Sequence, residues 1–103
     1  MKLKNALGPL KEIYKKEDVY EIIVNSYDDV YYEQREKIVE ENKLFKSSDE
    51  VESVINDLMN FANIKKQDGV YNYDFTLDDK TRINVVLPPM SMNGPTFNIL
   101  KIP

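Results

Sequence analysis

Between Val70 and Leu87 the side chains alternate apolar and polar, break, and alternate again, and no other stretch limits the fold so narrowly. Tyr71, Tyr73, Phe75 and Leu77 share one face and Asn72, Asp74, Thr76 and Asp78 the other; after the break, Ile83, Val85 and Leu87 oppose Arg82 and Asn84. Strand side chains point alternately to opposite faces, so this period of two describes a half-buried antiparallel hairpin. A slip of one residue would turn every apolar group to the wrong face, which makes the register readable. A two-residue turn at Asp79-Lys80 sets Phe75 across from Asn84 and mixes the faces. A three-residue loop, Asp78-Asp79-Lys80, instead sets Phe75 against Ile83, Tyr73 against Val85, Tyr71 against Leu87, Asp74 against Asn84 and Thr76 against Arg82. The sequence predicts this second register, with Lys80 left-handed at a cost of about 1 kcal/mol.

An apolar hairpin face needs a cover, and one helix is patterned to supply it. Ser47-Ser48-Asp49-Glu50 reads as a helix start in which the Ser47 hydroxyl accepts a free backbone N–H and Glu50 reaches back to the cap. Val51, Val54, Ile55, Leu58 and Ala62 then form a stripe at helical spacing, widened by Met59 and Phe61. Gln67-Asp68-Gly69 is read as its end. Upstream, Leu3, Leu7, Leu10 and Tyr14 recur at helical spacing, interrupted by Gly8-Pro9, which predicts a short or kinked lead-in helix best formed from Pro9 to about Lys16. Val19 to Val24 and Val30 to Gln34, rich in β-branched and aromatic residues, read as a hairpin around Asn25 to Asp29. A third strand is expected from Lys37 to Phe45 after a tight connection at Arg35-Glu36. Pro88-Pro89 ends the strand carrying Arg82, and Asn93-Gly94-Pro95 turns the chain into a last strand, Thr96 to Ile102. The expected architecture is a single α+β domain over residues 1–103, with element order α-βββ-α-βββ, an antiparallel sheet of about six strands and helices on one face.

What the chain lacks removes most chemistry. There is no cysteine and no histidine, so neither a thiolate metal site nor an imidazole base is available. The three glycines, Gly8, Gly69 and Gly94, open no phosphate-cradling Gly-Lys-Ser/Thr loop. No catalytic residue and no metal ligand is assigned: the acid pairs Asp28-Asp29, Glu40-Glu41 and Asp78-Asp79 lack the spacing of a calcium loop and read as solvated turns and strand. A net charge of -4 argues against a nucleic-acid binder, and no apolar run is long enough to insert in a membrane. The amphipathic start, unlike the apolar core of a secretion signal, leads to the expectation of a cytoplasmic protein.

The C-terminal third is more specific. Asp74, Leu77, Asp79, Arg82 and Asn84, then Leu87-Pro88-Pro89 and Asn93-Gly94-Pro95-Thr96, form a dense series at fixed offsets. From Asp74 through Lys101 it resembles the close of the N-terminal domain of type II/IV secretion ATPases, in particular the branch serving Tad-type pili and type IV secretion. Gly8-Pro9-Leu10, Asp18 to Asn25 and Val30 to Glu33 are similar to earlier motifs of that family, so nearly the whole chain is covered. The family's glycines after Asn25 and Asp79 are Ser26 and Lys80 here, and the arginine of its last strand is Leu100.

The resemblance implies a PAS-like sheet-and-helix domain that is not itself an enzyme, working beside a C-terminal phosphate-loop motor absent from this chain. It implies a homo-hexamer whose neighbouring subunits and inner-membrane platform are the partners, peripheral at the inner face of the membrane. ATP and magnesium would be cofactors of the parent, with none in this chain. Arg82 keeps the position of a nucleotide-phosphate contact, and Lys101 offers positive charge nearby, although alternation turns it to the opposite face from Arg82. The plain alternative for Arg82 is a surface ion pair with Asp74 or Asp78. At the level of the whole domain the alternatives are a free-standing PAS-like small-ligand sensor or adaptor, and a degenerate ATPase paralogue that no longer senses nucleotide.

Overall fold

The computed structural model describes residues 2–102. Among them the chain forms α1 (Leu3–Ala6), a 3-10 turn (Gly8–Leu10), α2 (Lys11–Tyr14), β1 (Val19–Ser26), β2 (Asp29–Gln34), β3 (Lys37–Glu40), α3 (Ser48–Phe61), β4 (Asn72–Asp78), β5 (Thr81–Val86) and β6 (Thr96–Lys101). The expected α+β order therefore holds. The six strands make one sheet in the order β3-β2-β1-β6-β5-β4, with every neighbouring pair antiparallel. Two three-stranded meanders meet along β1 and β6, and α3 carries the chain from one edge of the sheet to the other.

The inner face of the sheet supplies Val19, Ile22, Val24, Val30, Tyr32, Tyr73, Phe75, Ile83, Val85, Phe97 and Ile99 to a single buried cluster. The helical side adds Ala6, Leu7, Leu10 and Ile13 from the lead-in, and Val51, Val54, Ile55, Leu58 and Met59 from α3. Each such α3 side chain contributes about 1.5–3 kcal/mol of transfer free energy, so the stripe is what holds the helix down. Its start is the expected one: Ser47 is the N-cap and its hydroxyl accepts the Glu50 N–H at 3.3 Å. Its end is earlier than Gln67. Asn63 takes φ 59°, and the Ile64 N–H reaches the Met59 carbonyl at 2.8 Å while the Asn63 N–H reaches Asn60. This is a Schellman closure, and asparagine tolerates the left-handed step it needs.

The second hairpin has the expected register, with Tyr73 opposite Val85, Asp74 opposite Asn84, Phe75 opposite Ile83 and Thr76 opposite Arg82. The expected left-handed Lys80 is overturned, since the left-handed non-glycine residues are Arg35, Glu36 and Asn63. Asp78 pairs directly with Thr81, and the odd residue is absorbed by a bulge between Thr76 and Asp78. The Asp78 carboxylate accepts the Lys80 N–H at 2.8 Å and closes the turn. Leu77 is only half-buried as a result, and Tyr71, 38% exposed, lies just outside β4.

β3 is shorter than the expected Lys37 to Phe45. Past Glu40 the Asn42 side-chain oxygen accepts the Val30 N–H at 2.9 Å and the Glu41 N–H donates to the Val30 carbonyl at 2.8 Å, so the ladder closes on a side chain. Phe45 then folds inward and is buried. The lead-in helix breaks at Gly8, φ 56°, as the Gly8-Pro9 interruption suggests.

Candidate functional site

The face of the sheet turned away from the helices is uncovered, and the alternation of β5 directs Arg82 onto it. The Arg82 Nε donates to Asp74 Oδ1 at 2.8 Å and Nη2 to Asp74 Oδ2 at 2.5 Å, a two-pronged ion pair running diagonally across the hairpin. The side chains of Arg82 and Asp74 are 56% and 44% exposed. The guanidinium holds the Asp74 carboxyl below its usual 3.8, mainly through the hydrogen bond, and Asp74 in turn raises the Arg82 guanidinium above its ordinary value. Asn84 and Asn98 flank the pair, and Leu100 lies directly opposite Arg82 on β6. Such an arrangement can present the remaining N–H groups of Arg82 to an anion, with its charge already shared with Asp74.

Lys101 is not brought to this place. One residue further along β6, it faces the helices, where its Nζ donates to the carbonyls of Tyr14 and Lys16, each at 2.8 Å, and sits 5.2 Å from the centre of the Tyr14 ring. Partial burial lowers its pKa from the usual 10.5, opposed by the charge of Asp18. Tyr14 in turn hydrogen-bonds Thr81 through its hydroxyl at 2.7 Å, and Thr81 is buried. Lys101, Tyr14 and Thr81 thus tie the last turn of the lead-in helices to β5 and β6. Tyr14 is legible in the sequence only as one of a helical stripe, and nothing in the pattern links it to Thr81.

The neighbouring strands bring two carboxylates together on the open face. Pairing runs Ile38–Glu33–Glu21–Leu100–Arg82–Thr76 across all six strands. Glu21 and Glu33 stand directly opposite each other, and the described ion pairs, Lys15–Glu12, Arg35–Asp18 and Arg82–Asp74, include neither. The Asp18 carboxyl is held below its usual value, chiefly by a hydrogen bond from Gln34. Among the described residues no helix is long and apolar enough to cross a membrane.

No protein-family model matches the sequence, and no curated protein matches it. Among solved structures, the fold is similar to that of the VirB11 ATPase from the Brucella suis type IV secretion system, solved in complex with sulphate, with a TM-score of 0.81. The likeness covers 96% of this chain at 19% identity and 31% of the VirB11 chain, so the protein spans under a third of that ATPase's length. At that identity the two share a fold, an α+β sheet-and-helix unit found within a larger secretion ATPase.

Proposed function

We propose that the chain is the non-catalytic N-terminal domain of a type II/IV secretion or pilus-assembly ATPase. It forms part of one tier of a homo-hexameric ring, closes over nucleotide held by a C-terminal motor, and passes hinge motion to an inner-membrane platform from the cytoplasmic side. The reading is supported above all by one observation: Arg82, the residue with a phosphate-contact position by sequence resemblance, stands on the open face of a sheet whose fold recurs within a secretion ATPase. Arg82 would approach a phosphate of the motor-bound ATP, whose magnesium the motor would also hold. With Leu100 opposite it, the second arginine of the family pattern is replaced by a neutral side chain. Lys101, engaged with the Tyr14 and Lys16 carbonyls, would act on nucleotide only after releasing them.

Two measurements test this. The isolated chain, titrated calorimetrically with ATP and magnesium, should bind weakly or not at all and turn over none; micromolar affinity would place the nucleotide site in this domain instead. In the natural reading frame a phosphate-loop motor should follow, and Arg82→Ala there should raise the KM for ATP about tenfold, a loss of roughly 1.4 kcal/mol in binding. A frame without a motor, or an unchanged KM, refutes the proposed role of Arg82 and of the domain.

A further inference from the structure

We propose that the β3–β2–β1–β6 half of the open face is a docking surface for a basic amphipathic helix of a partner protein, laid across the strands. This goes beyond the motor reading and does not depend on it. Four residues carry the inference, one from each adjacent strand, paired in register as Ile38, Glu33, Glu21 and Leu100. They read apolar, acidic, acidic, apolar. Ile38 is 62% and Leu100 37% exposed, and Tyr20, also exposed, borders a depression of about 430 Å³ between Glu21, Glu33 and Leu100.

Charge complementarity identifies the occupant. Two carboxylates directly opposite on neighbouring strands repel one another, and a free sheet is more stable without such a pair. Arg35, the cation nearest in the chain to Glu33 at the rim of the depression, is bound to Asp18 at 2.8 Å. Lysine or arginine on a partner would relieve the repulsion, and a phosphate or acidic peptide would worsen it.

Spacing identifies its shape. Strands lie about 4.8 Å apart, so the four positions span roughly 14 Å. A helix rising 1.5 Å per residue carries positions i, i+3, i+7 and i+10 on one face, at roughly 0, 4.5, 10.5 and 15 Å. An apolar residue at i and i+10 with a basic residue at i+3 and i+7 therefore meets the row residue for residue.

The test uses an Ala/Gln-background peptide carrying Leu, Lys, Lys and Leu at those four positions. A second peptide of identical composition carries Lys, Leu, Leu and Lys. Backbone amide shifts of the labelled chain are followed in both titrations. The first peptide should perturb residues around Glu21, Glu33, Ile38 and Leu100 and bind at least about fivefold more tightly than the second. Glu21→Gln with Glu33→Gln should weaken it about tenfold while raising the melting temperature by a few degrees, because the opposed charges are gone and the domain stays folded. Equal affinity for the two peptides would reduce the effect to general charge attraction and overturn the proposal. So would perturbations centred on Asp28-Asp29 or Asp78-Asp79, unchanged affinity in the double variant, or no binding of the first peptide.

Discussion

Replacing Gly8 by alanine should destabilise the domain through two separable terms. Gly8 has φ 56°, a left-handed conformation that costs a non-glycine residue about 1 kcal/mol or more. An added Cβ would also lie 2.9 Å from Cγ2 of Val54, closer than real Cβ contacts come. Val54 is 4% exposed in α3, and a β-branched side chain in a helix has essentially one rotamer, so its methyl cannot swing aside. Overpacking of this kind costs about 1–3 kcal/mol, while the stiffer unfolded chain returns roughly 0.4–1 kcal/mol. The expected net loss is about 2 kcal/mol, or roughly 10 °C in melting temperature for a domain of this size. Val54→Ala removes the obstructing methyl, so in that background Gly8→Ala should cost only the backbone term, about 1 kcal/mol or less. Urea denaturation of the two single variants and the double variant measures the coupling. A Gly8→Ala loss within about 0.5 kcal/mol of zero, or strict additivity with Val54→Ala, would refute the close approach of the Gly8 turn to α3.

Lys80→Gly should lose about 0.5–1 kcal/mol, because Lys80 has no left-handed strain to relieve and glycine adds freedom to the unfolded chain; a gain in urea denaturation would restore the three-residue loop. Phe75→Ala should cost about 3–5 kcal/mol, Phe75 being 8% exposed in the main cluster, and a nearly unchanged melting temperature would show that the hairpin faces are misassigned. Lys101→Met should cost about 1 kcal/mol at neutral pH by leaving the Tyr14 and Lys16 carbonyls without their donor. The wild-type Lys101 pKa is lowered on folding, so between that value and 10.5 the unfolded chain binds more protons and stability from this group rises with pH. Denaturation at neutral pH and near pH 10 should show that increment in the wild type and lose it in Lys101→Met; identical pH profiles would contradict it.

Much of the fold could be read locally. The two alternating runs around Asp79 fixed which residues of β4 and β5 face each other, because parity alone decides the buried face. They did not reveal how the odd residue is absorbed, since a left-handed Lys80 and a bulge at Leu77 preserve the same parity. The bulge prevailed because the Asp78 carboxylate closes a tight turn without left-handed backbone. The overlong third strand has a similar cause: Lys37 to Phe45 is extended enough in composition, but at the next rung of the ladder the Asn42 side chain takes the Val30 N–H of the neighbouring strand β2. Asn63 ended α3 before the obvious glycine because a Schellman closure needs only one residue that tolerates positive φ.

At the candidate site the sequence singled out Arg82 and its face, and it offered Asp74 or Asp78 as the ion-pair partner, because these follow from alternation within one hairpin; the structure selects Asp74. It also turned Lys101 to the other side of β6. The sequence by itself thus determined the element order, the helix stripe and the inward or outward choice along most of β4 and β5, all set by periodicities spanning a few residues. Only the tertiary structure decided that Glu21 lies between Glu33 and Leu100, and that Lys101 caps the carbonyls of Tyr14 and Lys16. Those neighbours meet through the antiparallel pairing of β1 with β6 and the return of the lead-in helices over the sheet. Contacts between chain segments so far apart are selected by the packing of the whole core, and no local pattern of side chains encodes them.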